Sequence, residues 1–434
     1  MSSDAVAVTG FAALFALMLL RVPVGIAMGV VGVLGFGYMI GDIGPALKLL
    51  AQSPIRTATD AEFAVIPLFL LMGAFASASG MSRELFRASN TFLGHLRGGL
   101  GIATIAACGG FAAICGSSVA TAATFSKVAY PEMRQHGYPQ SFATGVIAAG
   151  GSLGIMIPPS TVFAVYGLIT EQDIGKLFIA GIVPGILAIA MYIVTINIIA
   201  FVRPGFLPTA PRHSWAERIA AMRDVWAVLL LFIFIIGGLY GGLFTATEAA
   251  GMGAAGAFII AVLRRRLSRS DFWRSLTESL RTTAAVFTVL IGALIFGYFL
   301  TITQVPQKLT EFLTSLGLGP YGVLVLIMLM YLALGCIMDA MAMIILTIPI
   351  VFPVIKALGF DPIWFGVIIV TTVELGLIHP PVGMNVFVIK SVVKDVSFTT
   401  IFKGVLPFVA TDLIRLVILI AFPIIALWLP QRMG

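Results

Sequence analysis

Long apolar runs separated by short polar segments fill almost the whole chain. The longer runs predict eight membrane helices, at 5–20, 24–40, 98–115, 175–201, 225–241, 244–263, 321–338 and 402–429. Shorter or interrupted apolar pieces lie between them, near 62–79, 117–128, 139–157, 160–171, 283–303, 339–357, 363–378 and 381–394. Because a helix needs about 20 residues to cross a hydrocarbon core of roughly 30 Å, we expect the shorter pieces to be re-entrant hairpins and half-helices. The piece at 62–79 is a hairpin candidate, with its counterpart near 286–305.

Two Pro-Pro pairs interrupt the apolar pattern. Pro158-Pro159 and Pro380-Pro381 lie 222 positions apart, and each begins four residues after a glycine. Proline lacks a backbone donor and clashes with the preceding turn, so neither segment is an uninterrupted helix. Broken backbone at membrane depth must be buried in protein or line a wet cavity. A matched pair of such breaks in two halves of a chain indicates the binding site of a secondary transporter.

A duplication explains the matched breaks. Shifts of 222 to 224 residues also align Met28-Gly29 with Met252-Gly253, and Pro184 with Pro407. We therefore expect an all-α polytopic membrane protein built from two structural repeats. The predicted domains are a first repeat over 1–202, with scaffold helices in 1–60 and transport elements in 61–202, a linker over 203–224, and a second repeat over 225–434.

Arginine-rich loops predict the orientation of the repeats. Segments 203–223 and 264–281 together carry ten arginines, and the positive-inside rule places such loops in the cytoplasm. The residues equivalent to 264–281 in the first repeat, about 41–57, hold only Lys48 and Arg56. Opposite charge at equivalent loops indicates an inverted repeat. Both termini are then expected on the periplasmic side.

Composition agrees with a membrane protein. Of the 434 residues 59% are hydrophobic and 10% charged, whereas soluble domains carry about 25% charged residues. The net charge of +7 comes from residues in short loops, so it does not indicate nucleic-acid binding. Three cysteines and four histidines show no metal-ligand spacing, so we expect no catalytic metal and no cofactor.

Small polar residues interrupt the apolar run that starts near Gly98. Gly116, Ser117, Ser118 and Thr121 form a segment in which a helix can break and expose carbonyls and a helix N-terminus. Such ends can hold a cation and an anionic group together. Close helix packing through small residues is the alternative explanation.

Asp339 stands alone between two uncharged stretches, and it aligns near Ser118 of the first repeat. A carboxylate within a membrane segment is costly and is by default a functional-site candidate, with an ion or a proton as its partner. A helix cap at a membrane edge is the alternative.

More polar residues surround the two Pro-Pro pairs. Thr372 and Glu374 precede the second pair, and Glu374 either binds an ion or caps the broken helix. Ser160 follows the first pair directly, and Asn385 follows the second by four residues. Both are candidates to reach a ligand or to satisfy freed backbone donors.

The chain resembles a known transporter family over nearly its whole length. The motifs that carry the resemblance are Pro67–Gly73, Gly116–Thr124, Tyr130–Met133, Gly137-Tyr138, Gly154–Ser160, Leu177–Gly181, Pro184-Gly185, Gly335, Asp339, Pro349, Pro353, Leu358–Pro362, Glu374–Gly376 and Pro380–Gly383. They are similar to those of the large permease subunit of tripartite ATP-independent periplasmic (TRAP) transporters. One departure is His379, where the family more often has a small hydroxyl residue.

The resemblance implies a sodium-driven, elevator-type carrier in the bacterial inner membrane. It also implies a small four-helix membrane subunit and a periplasmic solute-binding protein that delivers an organic acid. The ion-binding residues that it implies are Gly116, Ser117, Ser118, Thr121, Gly154, Pro158, Asp339, Thr372, Glu374, Gly376 and Pro380. The expected substrate-binding residues are Ser117, Pro159, Ser160, Pro381 and Asn385.

Three other functions are alternatives. A channel needs a continuous polar pore, yet Asp339 and Glu374 are the only deep charges that we expect. An intramembrane hydrolase would have to use Ser117 or Ser118 with His379, a pair that nothing in the sequence orients. A proton-coupled or stand-alone carboxylate carrier remains open. The chain has no GxxxxGK[ST] motif, which argues against ATP-driven pumping.

Overall fold

The computed structural model describes residues 2–210, 212–336 and 338–433. In these residues the regular structure is helical, without strands. The first half contains α1 (Ser3–Leu19), α2 (Val24–Ile40), α3 (Ile43–Thr59), α4 (Val65–Ala78), α5 (Met81–Leu93), α6 (Gly99–Cys115), α7 (Ser118–Gln135), α8 (Gln140–Met156), α9 (Thr161–Thr170) and α10 (Ile174–Val202). The second half contains α11 (Trp215–Tyr240), α12 (Ala246–Leu263), α13 (Arg269–Thr303), α14 (Val305–Ser315), α15 (Gly319–Gly335), α16 (Ala340–Ala357), α17 (Pro362–Gly376), α18 (Met384–Val392), α19 (Phe398–Ala421) and α20 (Ile424–Leu427).

Eight helical segments of the described chain are long and apolar enough to cross a membrane. The membrane helix predicted at 175–201 is confirmed as α10, whereas the run at 24–40 forms α2, a helix of 17 residues that is not among these eight. Trp215–Tyr240 begins inside the predicted linker, because Ser214 and Glu217 form a capping box that starts the helix before its apolar part. The predicted run 402–429 is shorter, since α19 ends at Ala421, just before Pro423.

The two halves follow the same order of elements. Helices α2, α7 and α8 begin 222 residues before α12, α16 and α17, respectively. Contacts between the halves also have counterparts in which the roles of the two repeats are swapped. Helix α2 packs on α13, while α4 packs on α12. Likewise, α9 packs on α16, while α7 packs on α18. Equivalent helices α8 and α17 contact each other, as do α10 and α19. An approximate two-fold axis therefore relates two inverted repeats.

Each repeat contains a helical hairpin that includes one of the shorter apolar pieces, and the hairpin candidate at 62–79 belongs to neither. Hairpin 1 consists of α6 and α7, whose Phe111 and Phe125 rings pack 5.9 Å apart on either side of the turn. Hairpin 2 consists of α15 and α16, joined by a hydrogen bond between Tyr331 and Thr347. The hairpin prediction at 62–79 is wrong, because this piece is a single helix after a short 3-10 turn. Its counterpart near 286–305 is the end of the long α13.

The hairpins surround two helices that are buried almost completely. Helix α8 is buried from Phe142 to Met156, and α17 is buried from Trp364 to Gly376. Both end at a Pro-Pro pair, after which short helices continue as α9 and α18. The first broken segment is buried from Ile157 to Ser160, whereas the second is partly exposed and Pro381 lies at the surface.

Capping explains a carboxylate outside this core. Glu248 lies in the first turn of α12 and forms a capping box with Thr245. Glu248 is therefore a helix-start residue.

The orientation of the repeats can be tested by cysteine labelling. In a background without Cys108, Cys115 and Cys336, Ser270→Cys should react only from the cytoplasmic side, because it follows the arginine-rich α12–α13 connection. Leu243→Cys, which is exposed in the turn between α11 and α12, is the matched control and should react only from the periplasmic side. Labelling of both cysteines from one side would contradict the predicted orientation.

Candidate functional site

The turn of hairpin 1, called tip 1, consists of Gly116 and Ser117. Helix α6 ends at Cys115, and Gly116 adopts a left-handed conformation with φ of 61°. A Cβ atom at Gly116 would lie 2.6 Å from the carbonyl oxygen of Pro159, so this position needs glycine for two reasons. Ser117 caps α7 by accepting a hydrogen bond from the Ala120 amide at 3.4 Å.

Tip 1 contacts break 1, the segment Ile157–Ser160 between α8 and α9. Thr161 donates its hydroxyl to the Gly116 carbonyl at 2.9 Å. Gly154 lies against Ser117, where an added Cβ would come within 2.5 Å of the Ser117 carbonyl oxygen. Because these contacts use backbone atoms, tip 1 and break 1 form one unit. The structure therefore brings together the residues predicted for the first repeat.

Hydroxyl groups form hydrogen bonds with backbone atoms at tip 1 and break 1. Ser160 donates to the Ile155 carbonyl at 2.6 Å and accepts from the Phe163 amide at 3.3 Å, so it caps α9. Thr121 donates to the Ser117 carbonyl at 2.8 Å. Ser160 thus has the backbone partners that the structural alternative predicted for it, whereas the Thr121 hydroxyl bonds a carbonyl that the Thr121 amide also bonds.

Tip 2, formed by Cys336, Met338 and Asp339, meets break 2, the segment Leu377–Gly383 between α17 and α18. Backbones of Gly335 and Gly376 touch, since a Cβ added to Gly335 would lie 2.9 Å from the Gly376 Cα atom. Cys336 donates its thiol to the Pro380 carbonyl at 3.5 Å. The second repeat therefore builds the same kind of unit.

Asp339 is the N-cap of α16. Its Oδ1 atom accepts hydrogen bonds from the amides of Met341 at 3.0 Å and Ala342 at 3.2 Å. The side chain is exposed, so the predicted capping role is present and the carboxylate remains accessible to a ligand. Asp339 occupies the position equivalent to Ser117, 222 residues earlier, and both residues cap the second helix of a hairpin.

One hydrogen bond joins the two units across the repeats. Ser118 donates to the Oδ1 atom of Asn385 at 3.1 Å, and the Asn385 amide donates to the Ala148 carbonyl at 3.4 Å. Both side chains are buried. A candidate ion residue of the first repeat and a candidate substrate residue of the second therefore lie together.

Eight helix ends converge at these two units. Helices α6, α8, α15 and α17 end there, and α7, α9, α16 and α18 begin there. Free carbonyls at helix ends and in unwound backbone attract cations, while helix N-termini attract anions. This arrangement can hold small cations and a carboxylate side by side without a cluster of acidic ligands. Among the described residues no group of three or more His, Cys, Asp or Glu side chains forms a metal site.

Two predicted ion residues lie apart from the breaks. Thr372 donates to the Ile368 carbonyl at 2.8 Å and contacts the Met328 sulfur at 2.9 Å. Glu374 accepts from Ser152 at 3.0 Å and from Arg415 at 2.6 Å. Both oxygens of Glu374 therefore already have protein partners. An ion-binding role for these two residues stays a prediction.

The expectation that Asp339 and Glu374 are the only deep charges is wrong. Asp412 and Arg415 on α19 are fully buried, and Arg415 contacts both Asp412 and Glu374. The signal was present in the sequence, since the two charges stand three positions apart and thus on one helix face. They were missed because the long apolar run around them dominated the interpretation.

A cavity of about 530 Å³ reaches tip 1. Its walls are the end of α4, the start of α7 and the first half of α13, where Ser117 faces Arg274 and Glu278. Helix α13 follows the arginine-rich connection, so the cavity opens toward the side that carries this connection.

A cavity of about 350 Å³ occupies the equivalent place in the other repeat. It is lined by Ser53, Arg56 and Thr57 of α3, the counterparts of residues 275, 278 and 279. Its wall meets α16 at Ile345 and Pro349, more than one helical turn beyond Asp339. The larger cavity therefore reaches a hairpin tip, whereas the smaller one meets the side of a hairpin.

Comparisons with known proteins agree with this architecture. Residues 11–425 match the family described as the tripartite ATP-independent periplasmic transporter, DctM component. A C4-dicarboxylate TRAP transporter large permease protein of Pseudomonas aeruginosa is 40% identical over 390 residues, covering 90% of this chain and 91% of that protein. Its namesake from Vibrio cholerae is 34% identical and covers 97% and 96% of the two chains.

Two further similarities concern chain organisation and fold. An isethionate TRAP transporter permease protein DctMQ of Oleidesulfovibrio alaskensis is 33% identical, and the match covers 96% of this chain but 65% of that protein. The crystal structure of the Alcanivorax borkumensis YdaH transporter aligns with a TM-score of 0.62 at 15% identity, covering 88% of this chain and 89% of that chain. At this identity the likeness shows the fold alone.

The relatives are components of membrane transporters, which disfavours the hydrolase alternative. The matched family spans nearly the whole chain, and it contains the two hairpin tips and both Pro-Pro breaks. The chain therefore belongs to the family of TRAP transporter large permease proteins.

Proposed function

We propose that the chain is the permease subunit of a TRAP system that imports an organic acid with sodium ions across the bacterial inner membrane. The observation that carries this proposal is the convergence of eight helix ends at tips 1 and 2 and breaks 1 and 2. Carbonyls at the helix ends supply oxygen ligands for sodium, and the opposing N-termini attract a carboxylate.

A small carboxylate is the proposed substrate class. The more similar relatives are named for C4-dicarboxylates, and one from Escherichia coli is named for 2,3-diketo-L-gulonate. Within the chain, the amide ends of α7 and α9 and the side chain of Asn385 lie near each other. These groups can donate hydrogen bonds to carboxylate oxygens.

Sodium binding is assigned to each tip with its break. In the first repeat the ligands are backbone oxygens around Gly116 and Ser117, together with the segment from Gly154 to Pro158. In the second repeat Asp339 adds a negative charge beside Gly376 and Pro380. Sodium prefers oxygen ligands, and a single carboxylate partly compensates its charge as the ion leaves water.

Transport is proposed to occur by an elevator movement of the hairpins and broken helices against the scaffold helices. The larger cavity lies between hairpin 1 on one side and α4 and α13 on the other, toward the arginine-rich connection. With this connection in the cytoplasm and both termini in the periplasm, the structure corresponds to an inward-facing state. The substrate then leaves past Arg274 and Glu278.

A small membrane subunit and a periplasmic solute-binding protein complete the proposed system. One relative is named as a DctMQ protein, of which this chain matches 65%. Within the described residues, the longest connection between helices is the one between α10 and α11, at 203–214. Such a short connection, on the proposed cytoplasmic side, cannot capture a dilute solute outside the cell.

The role of Asp339 can be tested by removing its charge. Asp339→Asn keeps an equally good N-cap, yet sodium-driven uptake should fall at least about tenfold, since losing a charged ligand costs roughly 1.5–3 kcal/mol. Asp361→Asn is the matched control, because Asp361 caps α17 through the same pair of amide hydrogen bonds. Normal uptake by Asp339→Asn in proteoliposomes would make this residue structural.

Uptake by the wild type that follows a proton gradient without sodium would favour the proton-coupled alternative.

The contact between tip 1 and α8 can be tested with a single methyl group. Gly154→Ala places a Cβ 2.5 Å from the Ser117 carbonyl oxygen, and overpacking of this kind costs about 1–3 kcal/mol. Uptake should drop roughly fivefold or more. Gly237→Ala on α11 is the control, because no heavy atom of the described chain lies within 4 Å of a Cβ added there. Equal uptake by the two variants would contradict a backbone site at tip 1.

Dependence on partners can be tested by reconstitution. The purified chain alone should show negligible uptake in proteoliposomes, even with an inward sodium gradient. Adding the small membrane subunit and the cognate solute-binding protein should restore uptake, whereas a binding protein from an unrelated system should not. Strong uptake by the isolated chain would place it among stand-alone carriers and remove the tripartite part of the proposal.

A further inference from the structure

A second polar site lies on the approximate two-fold axis, apart from the tips. We call it the axis cluster, and its members are Ser152, Tyr192, Glu374, Asp412 and Arg415. Each of these side chains has a relative exposure of 0%. They come from α8, α10, α17 and α19, so all four helices that meet at the axis contribute.

Arg415 contacts both carboxyl groups through the same nitrogen atom. Its Nη2 atom lies 2.6 Å from an oxygen of Glu374 and 3.1 Å from Oδ1 of Asp412. Its Nε and Nη1 atoms, like Oδ1 of Asp412, have no hydrogen-bond partner among the described residues. One guanidinium group therefore faces two carboxyl groups, and it is well bonded to Glu374 alone.

The charges in the cluster do not balance if both carboxyl groups are ionised. The charged and titratable groups that face Asp412 are Glu374 from α17, Arg415 from its own helix and Tyr192 from α10, while α8 presents the hydroxyl of Ser152. Two carboxylates and one arginine would leave a net charge of −1 in a fully buried place. An uncompensated buried ion costs several kcal/mol. A single bound proton removes this cost.

A chain of hydroxyl groups connects the two carboxyl groups. Tyr192 lies 2.7 Å from Oδ2 of Asp412 and 3.4 Å from the Ser152 hydroxyl. Ser152 lies 3.0 Å from Oε1 of Glu374, and its single hydrogen also has the Ala149 carbonyl within reach at 2.7 Å. Two hydroxyl groups in series can relay one proton between two carboxyl groups without any movement of the backbone.

We propose that the axis cluster is a proton-binding site that holds one proton, carried by Asp412 and shared with Glu374 through Tyr192 and Ser152. With the proton on Asp412, its Oδ2 atom donates to Tyr192, Tyr192 donates to Ser152, and Ser152 donates to Glu374. Proton transfer moves each hydrogen to the next oxygen along this chain, so that Glu374 becomes protonated and Asp412 becomes ionised. Either way Arg415 has one counter-charge and the cluster is neutral.

The site connects the two repeats close to their breaks. Ser152 and Glu374 are equivalent positions, 222 residues apart. Each stands two residues before a glycine that packs on a hairpin, Gly154 on Ser117 and Gly376 on Gly335. A neutral cluster therefore fixes α8 against α17 near both proposed ion sites. Since every member is buried, the proton is resident and does not exchange during transport. This inference is independent of the transported solute.

Infrared spectroscopy of the purified full-length protein tests the proposal directly. At neutral pH the wild type should show the carbonyl stretch of one buried protonated carboxyl group, with slow exchange in D₂O. Asp412→Asn removes the group that carries the proton. Glu374→Gln forces Asp412 to ionise as the counter-charge of Arg415. Both variants should lose the band, and the exposed control Asp361→Asn should keep it.

Absence of this band from the wild-type spectrum would overturn the proposal. Persistence of the band in the spectrum of either variant would also overturn it. Each variant is nearly isosteric with the wild type, and either variant decides the question if the other does not fold.

Thermal unfolding gives an independent readout. Each single variant should unfold near the wild-type temperature, whereas the double variant should unfold well below it, because Arg415 then lacks any counter-charge. A double variant as stable as the single ones would also contradict the proposal.

Discussion

The need to satisfy backbone polar groups away from water constrains the whole structure. A helix that breaks inside a membrane protein leaves amides and carbonyls that lipid cannot bond. Here each break packs against the tip of a hairpin: Thr161 bonds the Gly116 carbonyl, and the Cys336 thiol bonds the Pro380 carbonyl. The hairpins, the buried α8 and α17 and the small residues at their contacts all follow from this mutual coverage. The proposed ion sites are the same carbonyls at the same helix ends.

Duplication provides two such units, but the two repeats are not chemically equal. At the hairpin tips Ser117 corresponds to Asp339, and at the axis Ser152 corresponds to Glu374. In both pairs the first repeat carries a hydroxyl group and the second a carboxylate. Asp339 is exposed at a helix end, whereas Glu374 is enclosed and paired with Arg415. The second repeat therefore supplies negative charge both at a candidate ion site and inside the protein.

Much of this arrangement could be predicted from the sequence, because proline and glycine impose local backbone geometry wherever they occur. The Pro-Pro breaks are local features of this kind, the cap at Asp339 is a local side-chain preference, and the offset of 222 is visible as a repetition of these features. The hairpin at 62–79 was wrong because a short apolar piece does not reveal whether it turns back or continues. The contact between Ser118 and Asn385 joins residues 267 positions apart, and the pairing of Arg415 with Glu374 depends on how α19 packs. Neither contact follows from local preference.

Both tip-and-break units are proposed to bind sodium. Cryo-electron microscopy of the purified protein in sodium chloride and in choline chloride tests this claim most directly. We expect density for an ion beside the Gly116 carbonyl and beside Asp339 in sodium, and no such density in choline. Identical maps at both units in the two salts would contradict the claim.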